Sequence, residues 1–273
     1  MRCDLHLHTT MSDGQLTPSK LIDRVKYAGI TTCAVTDHDT VRGVDEAVKR
    51  GRRIGVDVIR GVELSTYGKK EYHVLGYGMQ IDEHFKKGLD NAKQMRAERN
   101  RRVFEKLHAL GIEAEERELG RGEVKGRLHI AKLLVKKGYA ISINEAFDKY
   151  LGTNGLAYVK SERFKPTDAI ELIRRSGGIP VLAHPARLID EEDFEPWLKD
   201  LTDCGLGGIE VYYPSHTDSD RYAYANLADK YGLIKTGGSD FHSDTAGNKI
   251  GSGNAELSIE TIQLLKSARH IEE

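Results

Sequence analysis

Asp4-Leu5-His6-Leu7-His8-Thr9 is the stretch on which the reading of the chain turns. Side chains alternate faces along a strand, so His6 and His8 share one face while Leu5 and Leu7 take the other. Two imidazoles side by side at a strand end form a pincer for a transition metal, because neutral imidazole nitrogen suits zinc, iron and manganese-type ions. A merely polar strand face would carry the same pair. What separates the two readings is whether more ligands arrive from elsewhere.

Outward from that strand, Ser12-Asp13-Gly14 makes a turn, and Thr17-Pro18 provides an N-cap with proline at the first helical position. Leu21, Ile22, Val25 and Ala28 keep helical spacing until Gly29. A β-branched run from Ile30 to Thr36 is a second strand ending in Asp37-His38-Asp39, and after a helix over about 43–54 a third strand, Val56 to Ser65, carries Glu63. Residues 71–78 alternate as a fourth strand with His73. From about 84 to 160 no strand pattern appears: one long polar helix is followed by helices over about 123–137 and 143–150. The strand–helix rhythm returns at Pro166. Ile179 to Ala183 delivers His184-Pro185, residues 208–212 form a sixth strand, and Leu233 to Thr236 a seventh, running into Gly237-Gly238-Ser239-Asp240-Phe241-His242. A last helix spans about 259–270.

Seven strands alternating with helices predict a parallel α/β sheet closed, or nearly closed, into a barrel. The barrel would comprise residues 1–83 and 161–273, with 84–160 inserted as a small helical domain. Carboxyl ends of parallel strands share one rim, where active sites gather. His6, His8, Asp13, His38, Glu63, His73, His184, Asp240 and His242 would then converge, six of the eleven histidines among them. Nine such groups at one rim are hard to explain as packing, since unpaired buried polar groups are costly, so they predict metal binding.

Composition narrows the class. At 273 residues with 30% charged side chains, a mean hydropathy of −0.50 and no long apolar run, a soluble globular protein without a membrane span is expected. The first strand begins at about residue 2, which leaves no room for a signal peptide. Three scattered cysteines without a CxxC fit a reducing cytoplasm. The net charge of −1 conceals asymmetry: residues 85–137 hold 15 Lys and Arg against 8 Asp and Glu, and the remainder 26 against 34. A basic insertion on an acidic body would face a polyanionic substrate or simply be a solvated helix face.

The ordered set of HxH, Ser12-Asp13-Gly14, TDHDT (36–40), GVELS (61–65), LAHP (182–185) and SDFH (239–242) resembles that of the PHP (polymerase and histidinol phosphatase) family of metal-dependent phosphoesterases. The resemblance covers nearly the whole chain. It implies a distorted seven-stranded (β/α) barrel with three divalent metal ions, manganese first, with iron or zinc as alternatives. By that pattern His6, His8, Glu63 and Asp240 would hold one ion. Glu63 would bridge to a second, completed by His73 and His184, and Asp13, His38 and His242 would hold the third. Asp4 and Asp37 would hydrogen-bond ligating imidazoles.

Within the family the insertion resembles the branch acting on nucleotide phosphates, whose marks here are Arg96-Ala97-Glu98-Arg99-Asn100 and Gly126-Arg127-Leu128-His129-Ile130-Ala131. Arg96, Arg99 and Asn100 fall on one helix face, and arginine forks suit phosphate oxygens. Arg127 and His129 both face the site only if Arg127 lies in the first turn of its helix or before it. His216, after the sixth strand, could approach the leaving group or be a surface-loop histidine; Tyr158 and Lys160 are further lining candidates. The expected activity is removal of the 3′-phosphate of nucleoside 3′,5′-bisphosphates by metal-activated hydroxide. The alternatives are a 5′→3′ exoribonuclease on short oligonucleotides, a histidinol-phosphate phosphatase, disfavoured by Asp13 and the basic insertion, and a non-catalytic metal-binding module. The partner expected is a small phosphate ester, with no obligate protein partner.

Overall fold

Local chemistry starts each element of the computed structural model, which describes residues 2–67, 71–119, 125–159, 164–187, 191–244, 248–253 and 255–266. β1 (Arg2–Asp4) leads to α1 (Pro18–Tyr27), where the Thr17 hydroxyl accepts from the Lys20 amide and Leu21, Ile22 and Val25 turn inward. β2 (Thr32–Val35), α2 (Val44–Ile54), β3 (Asp57–Tyr67) and β4 (Glu71–Tyr77) follow. α3 (Glu83–Ala109), α4 (Arg127–Lys136) and α5 (Ile143–Ala146), which runs into a widened turn over Phe147–Leu151, form the helical stretch. The remainder is α6 (Pro166–Arg175), β5 (Ile179–Leu182), α7 (Glu191–Asp203), β6 (Gly208–Tyr212), α8 (Asp218–Tyr231), β7 (Ile234–Gly237), β8 (Ala255–Glu256) and α9 (Ile259–Lys266). Lys160 and the start of the helix expected at about 123 lie outside the described residues, and α4 is seen from Arg127.

The sheet runs β7-β6-β5-β4-β3-β2-β1-β8. Residues just beyond β1 bond to the end of β7 and the residues after it and close the barrel: Leu5 N to Gly237 O at 3.1 Å, Asp240 N to His6 O at 2.9 Å, and His8 N to Phe241 O at 3.0 Å. The expected all-parallel sheet is corrected at one strand. β4 is antiparallel to both β3 and β5, with Glu63 opposite Leu75 and Val74 opposite Leu182. Only three residues separate Tyr67 from Glu71, far short of the dozen or so that a crossover between parallel strands requires. His73 therefore reaches the site from the beginning of its strand. β8, which pairs antiparallel with Arg2 and Cys3, was not expected. Nor do Leu5 and Leu7 share a layer: Leu5 joins Cys3, Ile59 and Tyr77, while Leu7 joins Phe241 and Leu21. The chain changes pairing partner between Cys3 and Leu5, from β8 at Arg2 and Cys3 to residues 237–241 at Leu5 to His8.

Strand alternation otherwise positions the chemistry. Val62 and Leu64 pack outward with Tyr72 and Val74 against α6 residues Ile170 and Ile173, which leaves Glu63 and His73 facing in. Phe85 and Leu89 at the start of α3 belong to this same outer cluster. Val103, Phe104 and Leu107 at its end form a separate core with Ile130, Leu134 and Tyr150. No helix among the described residues is long and apolar enough to cross a membrane.

Closure leaves no room at Gly238. A Cβ there would stand 2.3 Å from His6 Cβ and 2.5 Å from His6 N. Gly238→Ala is therefore expected to cost about 1–3 kcal/mol by overpacking and to push His6 out of place, read as a lowered thermal midpoint together with weakened divalent-cation binding.

Candidate metal centre and substrate cleft

Glu63, fully buried, is the hub. Its Oε2 lies 3.2 Å from His6 Nε2, 3.2 Å from His8 Nε2 and 3.1 Å from His38 Nδ1. Its Oε1 lies 2.8 Å from His73 Nδ1 and 3.2 Å from His184 Nε2. Asp240 Oδ1 approaches His6 Nε2 at 3.4 Å and His8 Nε2 at 3.2 Å. Asp13 sits across from it, 3.1 Å from His242 Nε2 and 3.9 Å from His38 Nε2. All nine expected ligands are thus in one cluster. Among the described residues, three sets have donor atoms within 4.8 Å of one another: His6, His8, Glu63 and Asp240; His38, Glu63 and His73; and His8, Asp13, His38 and His242.

The donor chemistry fits divalent cations. His6 Nε2, both nitrogens of His8, His38 Nδ1 and Glu63 Oε2 are buried without a hydrogen-bond partner, which ordinarily costs about 1–3 kcal/mol apiece. Burial pushes His38 down to about 3, so its ring is neutral with lone pairs to give. Burial works against charge on Glu63 too, yet the imidazoles gathered around it keep that carboxyl well below its usual range. Burial would likewise lower His8, but Asp240 and Glu63 raise it to about 10. With three ionised carboxylates enclosed, the site demands positive charge, and oxygen–nitrogen ligand sets of this kind supply it by binding metal.

Backbone strain marks the same place. Asp39, His184 and Asp240 have φ of 50°, 30° and 52°, a region that side chains avoid unless surroundings hold them there. Glu210 helps to hold one of them. Its Oε2 accepts the His184 amide at 2.8 Å, while its Oε1 lies 3.1 Å from His6 Nδ1 and so orients the face of His6 turned away from Glu63. Tyr213 donates to Asp240 Oδ2 at 2.8 Å. The roles expected of Asp4 and Asp37 are corrected: neither touches an imidazole side chain among the hydrogen bonds described. Asp4 accepts the amides of Ser239 and Gly251 at 2.8 and 2.7 Å, and Asp37 accepts from Thr9 and Ser12 at 2.6–2.7 Å. Both fasten the loops on which the ligands ride.

The insertion supplies the facing wall of a cleft of about 300 Å³. Arg96, Arg127 and His129 line it, as do Leu128 and Phe147. Arg127 is the first residue of α4, which is why it and His129 both face the site. His129 Nδ1 accepts the Gly126 amide at 3.1 Å, and burial lowers the ring to about 4. Neutral and with that nitrogen occupied, the ring carries its proton on Nε2, a donor. Arg96 is anchored by an ion pair with Asp39 and by Ser65 Oγ at 2.5 Å.

Three residues expected at the substrate are elsewhere. Arg99 donates to Asn100 Oδ1 at 2.6 Å and Asn100 to the Lys125 carbonyl at 3.0 Å, so this pair braces the segment before α4 and does not line the cleft. His216 does not line it either; it is buried between Tyr213 and Tyr224 with Nδ1 on the Val211 carbonyl at 2.9 Å. Arg101 and Arg102 pair with Glu98 on the exposed face of α3, so part of the basic excess is a solvated helix face. Sequence reasoning missed Glu71 and Phe147 in the cleft. For Glu71 a signal existed, since a residue two before His73 on a strand shares its face.

Comparison with known proteins agrees with this geometry. Residues 4–157 match the PHP domain family. A 3′,5′-nucleoside bisphosphate phosphatase of Chromobacterium violaceum is 34% identical over 253 residues, 90% of this chain and 89% of that protein. A phosphoribosyl 1,2-cyclic phosphate 1,2-diphosphodiesterase of Eggerthella lenta is 35% identical over 88% of this chain and 93% of its own length. A 5′-3′ exoribonuclease of Haemophilus influenzae is 34% identical over 88% of this chain and 89% of its own. The solved structure of an amidohydrolase from Chromobacterium violaceum, with bound sulfate and no metal, superposes with a TM-score of 0.86 at 32% identity, covering 97% of this chain and 96% of that one. Family match, barrel and clustered ligands together make this chain a member of the PHP domain family and a hydrolase of phosphoric ester bonds.

Proposed function

We propose that this hydrolase removes the 3′-phosphate of nucleoside 3′,5′-bisphosphates, using three divalent cations, manganese foremost. His6, His8, Glu63 and Asp240 would hold the first, Glu63, His73 and His184 the second, and Asp13, His38 and His242 the third. Bound there, the cations lower the pKa of water and neutralise phosphoryl oxygens. The chain's own groups do the rest. Arg96 and Arg127 offer guanidinium donors to non-bridging oxygens, and neutral His129 offers Nε2–H. Glu210 and Tyr213 keep His6 and Asp240 in place while charge builds on the substrate.

The observation that carries the reading is the cleft's two-sided make-up: a carboxylate–imidazole floor and, across about 300 Å³, a separate wall with two arginines. Two anion-holding places at that size suit a small ester with two phosphates better than a long chain. The relatives share nearly equal identity but are named for a monoester, a cyclic diester and RNA ends, so identity alone does not choose among substrates. A phosphate-release screen with Mn²⁺ over 3′,5′-bisphosphates, mononucleotides, a cyclic phosphate ester, histidinol phosphate and short 5′-phosphorylated RNAs decides. Highest kcat/KM on the bisphosphate is the expected outcome, and preference for RNA of several nucleotides would replace it with the exoribonuclease reading.

His38→Ala and Asp240→Ala are expected to lower turnover by about 100-fold or more with the circular dichroism spectrum unchanged. Unaltered rates in both would refute the assigned roles. Glu210→Gln should weaken divalent-cation binding by about 10–100-fold, as seen in calorimetric titration. Because burial holds His129 near 4, its ring stays neutral above that pH. His129→Ala should therefore raise KM about tenfold by the same factor throughout pH 6 to 8, whereas a charged contact would fade across that window.

A further inference from the structure

An acid on the wall that receives phosphate needs a reason, because like charge there opposes binding. Glu71, the first residue of β4 and 29% exposed at its side chain, lines the cleft. Its two oxygens serve different neighbours. Oε2 takes the guanidinium of Arg127, whose other arm donates to the Leu151 carbonyl at 3.4 Å. Oε1 stands 3.7 Å from His73 Nε2. His73 spans two carboxylates, with Nδ1 2.8 Å from Glu63 in the cluster and Nε2 turned to Glu71.

We infer that Glu71 is a positioning residue that couples cation binding at His73 to the placement of Arg127 for phosphate. The inference rests on the proposal that His73 holds a divalent cation. With Nδ1 given to a cation, the ring would carry its proton on Nε2, 3.7 Å from Glu71 Oε1, a separation at which the carboxylate attracts that N–H and biases the orientation of the ring. The carboxylate, held from that side, presents Oε2 to Arg127 and keeps the guanidinium charge at the cleft. Coupling of this kind is reciprocal, so bound phosphate also tightens the cation. No other acid among the described cleft-lining residues bridges the cluster to the insertion: Asp13, Glu63 and Asp240 all belong to the cluster itself.

The test titrates metal-free wild type, Glu71→Gln, Arg127→Met and the double variant with Mn²⁺, then titrates the Mn²⁺-saturated proteins with inorganic phosphate. Glu71→Gln is expected to weaken Mn²⁺ binding about tenfold. It should also weaken phosphate binding, and Arg127→Met should cost about fivefold less in the Glu71→Gln background than in wild type, the signature of two residues acting as one unit. Steady-state kinetics should show the effect in KM more than in kcat at saturating Mn²⁺. Additive losses, or Mn²⁺ affinity of Glu71→Gln equal to that of wild type, overturn the coupling. A wild type that binds no Mn²⁺ would instead remove the metal-centre reading beneath it.

Discussion

One carboxylate with five imidazole nitrogens within 3.2 Å governs this molecule. His6, His8, His38, His73 and His184 must each arrive at the distance the two oxygens of Glu63 dictate. Such an arrangement of buried charge and lone pairs is unfavourable in itself, since burying an ionised carboxylate without counter-charge is costly. The strain at Asp39, His184 and Asp240 lies beside it, where ionic contacts and hydrogen bonds over-determine the backbone. Fold and site are therefore not separable here: the loops that carry the ligands are stitched by Asp4 and Asp37, acids that never reach the cleft.

The insertion adds to this floor rather than replacing it. Its first helix shares the barrel's outer hydrophobic layer through Phe85 and Leu89, and its later helices have a core of their own. Beside the cleft, by contrast, several contacts between the two are polar: Arg96 to Asp39 and Ser65, Arg127 to Glu71, and the Tyr67 and Tyr158 hydroxyls 2.6 Å apart. Polar seams of this sort fix direction without burying much apolar surface, which suits a wall that must sit at one distance from the cluster.

Much of this was legible in the sequence because it followed from short-range rules. HxH, Glu63 between Val62 and Leu64, and Asp240-Phe241-His242 are strand-end patterns whose side-chain directions alternate predictably. Arg127 and His129 were tied to a helix start, and the helix does start there. What escaped depended on partners distant in sequence. Arg99 has the spacing to join Arg96, but the oxygen of its neighbour Asn100 captures it. His216 follows β6 as closely as a site residue would, yet α8 brings Tyr224 over it. Glu210 was only a mid-strand acid until β1 and β5 set His6 and His184 beside it. The direction of β4 did lie in plain sight, in the three residues before Glu71, and the strand–helix rhythm obscured it.

Barrel closure through Leu5–Gly237 and His6–Asp240 has a bearing on how the chain acquires its shape. His6 and His8 are synthesised more than two hundred residues before Asp240 and His242. Until those two emerge, His6 and His8 lack Asp240, and His8 lacks the His242 ring that stacks on it. Closing a loop over such a span is entropically unfavourable, and the set of His6, His8, Glu63 and Asp240 is complete only once residues 237–241 have docked on 5–8.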